Sequence, residues 1–100
     1  MNYLEPWYAL SDEACTTLSE ELSRELPPQH VLKGVPVKCL ARRKDRDDVL
    51  FELNDGSGRL AVVHLTWQVE REPSWPQTVV YAGVSEWLAV MQSHHTEYDA

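Results

Sequence analysis

Asp48 and His64 are the residues of this chain whose types and spacing are best suited to chemistry. The segment 54–58, Asn-Asp-Gly-Ser-Gly, lies between them and predicts a tight hairpin turn, because Asn, Asp and Gly tolerate positive φ. If Leu53 pairs with Arg59 across this turn, Asp48 lies directly opposite His64 on the neighbouring strand. A carboxylate in that position orients an imidazole and raises its pKa.

The hydrophobic pattern favours this register. A one-residue slip would mix apolar and polar side chains, whereas this pairing gathers one wholly apolar face, made of Val49, Phe51, Leu53, Ala61, Val63, Leu65 and Trp67. The opposite face mixes apolar and polar residues. Its polar members form a candidate ligand face, made of Asp48, Glu52, His64 and Thr66.

Catalysis has little support in the sequence, because no nucleophile of a recognisable motif accompanies the Asp–His pair. His94 and His95 are adjacent, and adjacent helical positions diverge by about 100°, so we expect no metal site there. Cys15 and Cys39 lack a metal-binding spacing, and we expect small buried thiols rather than a disulfide. We predict no cofactor and favour a non-enzymatic protein, with a ligand pocket or enzyme site around His64 as the alternative.

The loop 67–76 is the stronger functional candidate, because it combines two Trp and two Pro residues with a Glu-Arg-Glu core. Aromatic residues and Arg are enriched in interface hot spots. The candidate interaction rim consists of Trp67, Glu70, Arg71 and Trp75, with Tyr81 nearby. In the competing interpretation, Trp67 and Trp75 only cover one end of a small core.

The charge of the chain opposes nucleic-acid binding, since the net charge is −7 and phosphate backbones repel an acidic protein. A basic segment is the local exception, with Lys38, Arg42, Arg43, Lys44 and Arg46. We expect it to be a solvated edge strand and turn, because edge strands often carry Lys and Arg. Weak nucleic-acid binding through residues 38–46 stays as a further alternative.

Two amphipathic helices are predicted at the two ends of the chain. The first begins after Ser11, ends at Pro27 and buries a stripe of Cys15, Leu18, Leu22 and Leu26. The second is capped by Ser85, and its inward side consists of Val84, Trp87, Leu88 and Met91. We expect residues 94–98 to fray into a polar tail.

Four strands are predicted between the helices, at about residues 35–41, 48–53, 59–67 and 78–82, with an aromatic lead of Tyr3, Trp7 and Tyr8 before the first helix. We expect an α+β fold in which an antiparallel meander of about four strands carries both helices on one face, as a two-layer sandwich. One hundred residues make a single domain, 1–100.

The segments 63–67 (Val-His-Leu-Thr-Trp) and 73–78 (Pro-Ser-Trp-Pro-Gln-Thr) resemble those of a family of short bacterial proteins without an assigned molecular function. The resemblance extends over roughly residues 47–91. It implies a bacterial origin and supplies no catalytic residue.

The sequence therefore predicts a small cytoplasmic protein that acts through protein contact, with a homodimer among the options. No apolar run is long enough to cross a membrane, and the first residues lack a signal-type segment.

Overall fold

Seven elements follow one another along the chain in the computed structural model, which describes residues 1–100. They are β1 (Trp7–Ala9), α1 (Asp12–Glu25), β2 (Val37–Arg43), β3 (Asp48–Leu53), β4 (Leu60–His64), β5 (Thr78–Tyr81) and α2 (Val84–Tyr98). The strands form one antiparallel sheet in the order β1-β2-β3-β4-β5. The predicted α+β class is confirmed, with five strands rather than four.

The additional strand is β1, which the sequence analysis treated as an aromatic lead. It has only three residues, and Trp7 pairs with Arg43 at the edge of the sheet. So short a segment carries too few residues to show a period of two. Strand β1 therefore could not be recognised from its own pattern.

The hairpin register between β3 and β4 is confirmed. Asp48 pairs with His64 and Val49 with Val63, and the Leu53 N–H donates to the Arg59 carbonyl at 3.0 Å. The turn at 54–58 has positive φ at Gly56 and Gly58, as its composition requires.

The two helices lie on opposite faces of the sheet, so the prediction of one covered face was wrong. The α1 face holds a cluster of ten buried residues, mainly aliphatic but including Phe51, in which Leu18 and Leu22 pack on β2, β3 and β4. The α2 face holds eight buried residues, in which Trp87 and Met91 pack on Leu50 and other apolar residues of the mixed face. The apolar residues of the mixed face would be exposed to water without α2, which is unfavourable, so this face also needs a packed helix.

A β-bulge in β2 explains how this strand serves both faces. The pairing with β3 shifts between Cys39 and Ala41, so Cys39 joins the α1 face and Ala41 joins the α2 face. One inserted residue reverses the alternation of side chains. Cys39 and Ala41 therefore face opposite sides of the sheet, whereas a regular strand would place them on the same side.

The boundaries of two further elements differ from the prediction. Strand β4 ends at His64, so Thr66 and Trp67 belong to the following loop. Helix α2 begins at Val84 after an N-cap at Gly83, and it continues to Tyr98 instead of fraying at His94.

Candidate functional site

The end of α1 carries a buried carboxylate that organises the loop after β4. Glu25 is 0% exposed and lies one turn below Leu22 on the inward stripe of the helix. Its Oε1 accepts from the Thr66 N–H at 2.8 Å and from the Thr66 hydroxyl at 3.0 Å. Its Oε2 accepts from the Trp67 N–H at 2.8 Å. A buried carboxylate must be hydrogen-bonded, and these three donors satisfy it.

The neighbouring Glu21 and Arg24 belong to the same cluster. Burial raises the pKa of Glu25 and the Glu21 carboxyl raises it further, while the donors of Thr66 and Trp67 lower it in part. The hydrogen bond with Glu25 lowers the pKa of Glu21, and the Arg24 guanidinium, 2.7 Å from Glu21 Oε2, lowers it too. The two carboxyl groups are thus shifted in opposite directions, with the pKa of Glu25 moved upward and that of Glu21 downward.

Trp67 is held in an unusual backbone conformation by this carboxylate. Its φ is 61°, the only positive φ at a residue other than glycine in this structure. The left-handed region is strained for a bulky side chain and costs of the order of 1–3 kcal/mol. The indole is 46% exposed. The prediction that Trp67 continues the apolar core face is thus wrong, because the chain turns outward after Leu65.

A groove of about 430 Å³ lies beside the Trp67 indole. Tyr8 and Trp67 are its aromatic members, and Leu10, Ala14 and Leu18 supply its aliphatic part. Its two charged residues are Glu13 and Arg42, and Ser11 and Thr17 complete the lining. Arg42 donates to Asp47 at 3.1 Å, whereas no ion pair forms at Glu13.

The rest of the loop is tied down at two more points. The Glu70 N–H donates to the main-chain carbonyl of Glu25 at 3.2 Å. At the far end, the buried His30 bonds to the Pro76 carbonyl at 2.8 Å, and its Nδ1 accepts from the Leu32 N–H at 3.0 Å. Since Nδ1 accepts, Nε2 carries the proton and donates to Pro76. The loop is therefore fixed at one end by α1 and at the other by the segment between α1 and β2.

The predicted interaction rim is only partly assembled. Trp75 is 38% exposed, and Arg71 is exposed with no ion pair. Glu70 is half-buried. Trp75 is not among the residues that line the groove of Trp67. Tyr81 lies apart from the rim, buried on the α2 face with its ring 6.0 Å from that of Trp87.

The predicted Asp–His pair is formed. His64 Nδ1 lies 2.7 Å from Asp48 Oδ1, with the Asp48 side chain 13% exposed and the imidazole 46% exposed. Both residues line an open cleft of about 480 Å³, together with Asp45, Arg46, Val62, Gln77 and Val79. No Ser, Thr or Cys side chain lies in that lining to act as a nucleophile.

The other two members of the predicted ligand face lie elsewhere. Glu52 pairs with Leu60, four residues along β3 from Asp48, and does not line the cleft. Thr66 lies beyond the end of β4 and bonds to Glu25 of the α1 layer. The structure therefore reduces the ligand face to Asp48 and His64.

Acidic partners pair with four of the five cations of the basic segment, and the exposed Lys38 has no ion pair. Arg43 makes a two-pronged ion pair with Asp45 at 2.8 and 2.9 Å, and its side chain is 8% exposed. Arg42 pairs with Asp47, Lys44 with Glu5, and Arg46 with Asp48 at the longer distance of 3.9 Å. Phosphate binding needs accessible cations, so this arrangement gives the nucleic-acid alternative no support.

The two C-terminal histidines have separate partners. Trp7 Nε1 donates to His94 Nδ1 at 3.0 Å, and His95 Nδ1 lies 2.7 Å from the Glu5 carbonyl. Burial lowers the pKa of His94, with Arg43 adding to this effect. No group of three or more His, Cys, Asp or Glu side chains is arranged to hold a metal ion. No helix has the length and apolar character needed to span a bilayer.

Sequence reasoning missed Glu25 and His30, the two polar side chains that fix the candidate loop after β4. A signal for Glu25 was present, because an acid that follows Leu18 and Leu22 at helical spacing lies on the buried stripe. His30 carried no such signal, since it lies in an irregular segment between Pro27 and β2. Comparisons with protein-family models, with curated proteins and with solved structures found no match for this chain.

Proposed function

We propose that this chain is a non-enzymatic protein-interaction module whose contact surface centres on the Trp67 groove. The observation that carries the proposal is the conformation of Trp67, which is strained and half exposed yet held by a fully buried carboxylate. Strain of this kind persists where the surrounding structure enforces it, and it clusters at functional sites. A Trp needed only for packing would have no reason to be fixed outside the core.

The chemistry of the groove indicates what it would bind. Its aliphatic residues and two aromatic rings suit one large apolar side chain of a partner. Arg42 is neutralised by Asp47, which leaves the Glu13 carboxylate as the uncompensated charge of the lining. The whole chain also carries a net charge of −7. We therefore propose a partner segment with an apolar anchor and basic neighbours, since opposite charge speeds association and aids selectivity.

Peptide selection tests this proposal directly. A displayed random-peptide library is selected on the wild-type chain, and binders are then measured on Trp67→Ala and Trp75→Ala. Trp75 is the matched control, because it has a similar exposure on the same loop but lies outside the groove lining. We expect binders with a large apolar residue and Lys or Arg beside it. Their affinity should fall at least about tenfold on Trp67→Ala, as for a modest hot spot.

Equal binding to wild type and Trp67→Ala would contradict the proposal, as would an equal loss on both Trp variants. The groove could instead be occupied by a second copy of the chain. Sedimentation of the wild type tests this alternative by measuring its oligomeric state. A dimer that Trp67→Ala dissociates would make this surface a homodimer interface.

The Asp48–His64 pair supports a second candidate, a small-ligand site in the cleft around His64. Its specific observation is the 2.7 Å hydrogen bond between the exposed imidazole of His64 and the nearly buried carboxylate of Asp48, which accepts it. NMR of the His64 ring during a small-molecule fragment screen tests it. Ring signals that move in wild type but not in Asp48→Asn would support this candidate, and ring signals unmoved by every fragment would remove it.

A further inference from the structure

The two cysteines of the chain meet across the interface between α1 and β2. The Cys15 thiol donates to the Cys39 carbonyl at 3.3 Å, across 24 residues of sequence. Both are free cysteines. Cysteines on packed elements can form a disulfide when their Cα atoms lie within about 7 Å.

The fold keeps this pair together through the bulge in β2. The register shift after Cys39 leaves the Cys39 thiol on the α1 face, although Ala41 lies on the opposite face. Cys15 packs against the same aliphatic cluster from the helix side. The juxtaposition therefore depends on the β-bulge as well as on the helical stripe.

A reagent can reach the pair through the largest cleft of the molecule, about 890 Å³ between α1 and β2. Both cysteines line this cleft. Cys15 is half-buried, whereas Cys39 is 7% exposed, so Cys15 is the more accessible thiol. The charged lining residues are Asp12, Glu20 and Lys38, two acids and one base. That balance favours a small neutral oxidant over an anionic one.

We propose that Cys15 and Cys39 form an oxidation site for hydrogen peroxide, with Cys15 as the attacking thiol and Cys39 as the resolving thiol. Cys15 Sγ, as thiolate, attacks one peroxide oxygen. The O–O bond breaks, Cys15 becomes a sulfenic acid, and the other oxygen leaves as water with the thiol proton. Cys39 Sγ then attacks Cys15 Sγ, the S–O bond breaks, and the hydroxyl leaves as water with the Cys39 proton. Two thiols and one peroxide give one disulfide and two waters.

The order of the two steps follows from the environments. Burial and the adjacent Cys15 raise the pKa of the Cys39 thiol, which keeps Cys39 protonated and unreactive toward peroxide. Once Cys15 is a sulfenic acid in contact with it, attack by Cys39 is intramolecular and needs no diffusion. The product would link α1 to β2.

Peroxide treatment of the native wild-type chain tests the proposal. Remaining thiols are blocked with N-ethylmaleimide, the chain is unfolded, and tryptic peptides are mapped by mass. We expect both alkylatable thiols to be lost together, a mass decrease of about 2 Da, and a cross-link between peptides 1–24 and 39–42. Dithiothreitol should reverse all three changes.

Two variants assign the roles. Cys39→Ser should stop at a sulfenic acid on Cys15, trapped by dimedone, and Cys15→Ser should leave Cys39 alkylatable after the same exposure. Over-oxidation of Cys15 beside a free Cys39 thiol would overturn the proposal, as would only intermolecular disulfides. Oxidation of Cys39 in Cys15→Ser at the wild-type rate would overturn the assigned order. The wild-type cross-link decides the question if either variant does not fold.

Discussion

The two faces of the sheet use tryptophan in opposite ways. On the α2 face, Trp7 and Trp87 are 1% and 0% exposed and meet edge to face with ring centroids 4.9 Å apart. On the α1 side, the core contains no tryptophan, and the loop beyond it holds Trp67 outward, 46% exposed. Buried aromatic rings are stabilised by close packing against one another. An indole that stays exposed lacks this stabilisation, so its position calls for another explanation. The comparison separates tryptophans that hold the fold from one that is available for contact.

The polar partners of the two regions show the same contrast. The Trp7 indole N–H is satisfied by His94, a partner inside the same layer. At Trp67 the backbone N–H donates to Glu25, which belongs to helix α1. The indole ring itself makes no side-chain hydrogen bond. The Trp7 indole is therefore tied into the α2 layer, whereas the Trp67 indole is left free for contact.

Truncation of Trp87 should produce the largest effect. Trp87→Ala removes a fully buried ring from the α2 cluster, and we expect a loss of about 3–5 kcal/mol in unfolding free energy. Urea denaturation measures this loss. A stability within about 1 kcal/mol of wild type would mean that the α2 face is not a packed core.

Removal of the Glu25 charge should produce an intermediate effect. In Glu25→Gln the amide keeps one acceptor oxygen, so either the Thr66 or the Trp67 N–H faces an NH₂ group and loses its bond. We expect a loss of about 1–3 kcal/mol in unfolding free energy. Glu20→Gln, at an exposed position of the same helix, is the control and should stay within about 0.5 kcal/mol. Equal stability of the two variants would remove Glu25 from its assigned role.

The pH dependence of the α2 face should be smaller and should depend on His94. Burial lowers the pKa of His94 in the folded state, so folding favours the neutral ring that accepts from Trp7. The stability that this provides is present above the ordinary pKa of about 6.5 and is lost as the pH falls through the folded value. Asp48 and Glu97 oppose this shift, whereas Arg43 and Arg46 add to it.

Thermal unfolding between about pH 7 and pH 5 measures this effect around the ordinary histidine pKa. His94→Gln should reduce the fall in Tm with acid, and His95→Gln, on the next residue of α2, should leave the fall unchanged. An unchanged fall in His94→Gln would show that another group titrates.

Local chemistry allowed part of this architecture to be predicted. The Asp48–His64 pairing followed from the turn at 54–58 and from the parity of the apolar residues in β3 and β4, which only one register satisfies. The helix placement could not be predicted in the same way, because the mixed face alternates apolar and polar side chains and fits either solvent or a second helix. The bulge after Cys39 left no signature in the composition of β2.

The candidate site was harder to predict than the fold, because its cause is distant in sequence. Trp67 belongs to an apolar alternation that predicts a core position. Its actual conformation depends on Glu25, 42 residues away. The loop composition indicated a segment with exposed side chains, and Trp67 and Arg71 are exposed there. Tyr81 could not be excluded from the rim without knowing which face α2 covers.

The central claim is that Trp67 is displayed for contact and contributes little to the fold, and Trp67→Ala tests it most directly when stability and peptide binding are measured on the same sample. We predict an unfolding free energy within about 0.5 kcal/mol of wild type, as for an exposed side chain, together with at least about a tenfold loss of affinity for the selected peptides. A destabilisation of several kcal/mol, comparable to that of Trp87→Ala, with peptide binding intact would contradict the claim and assign Trp67 to the core.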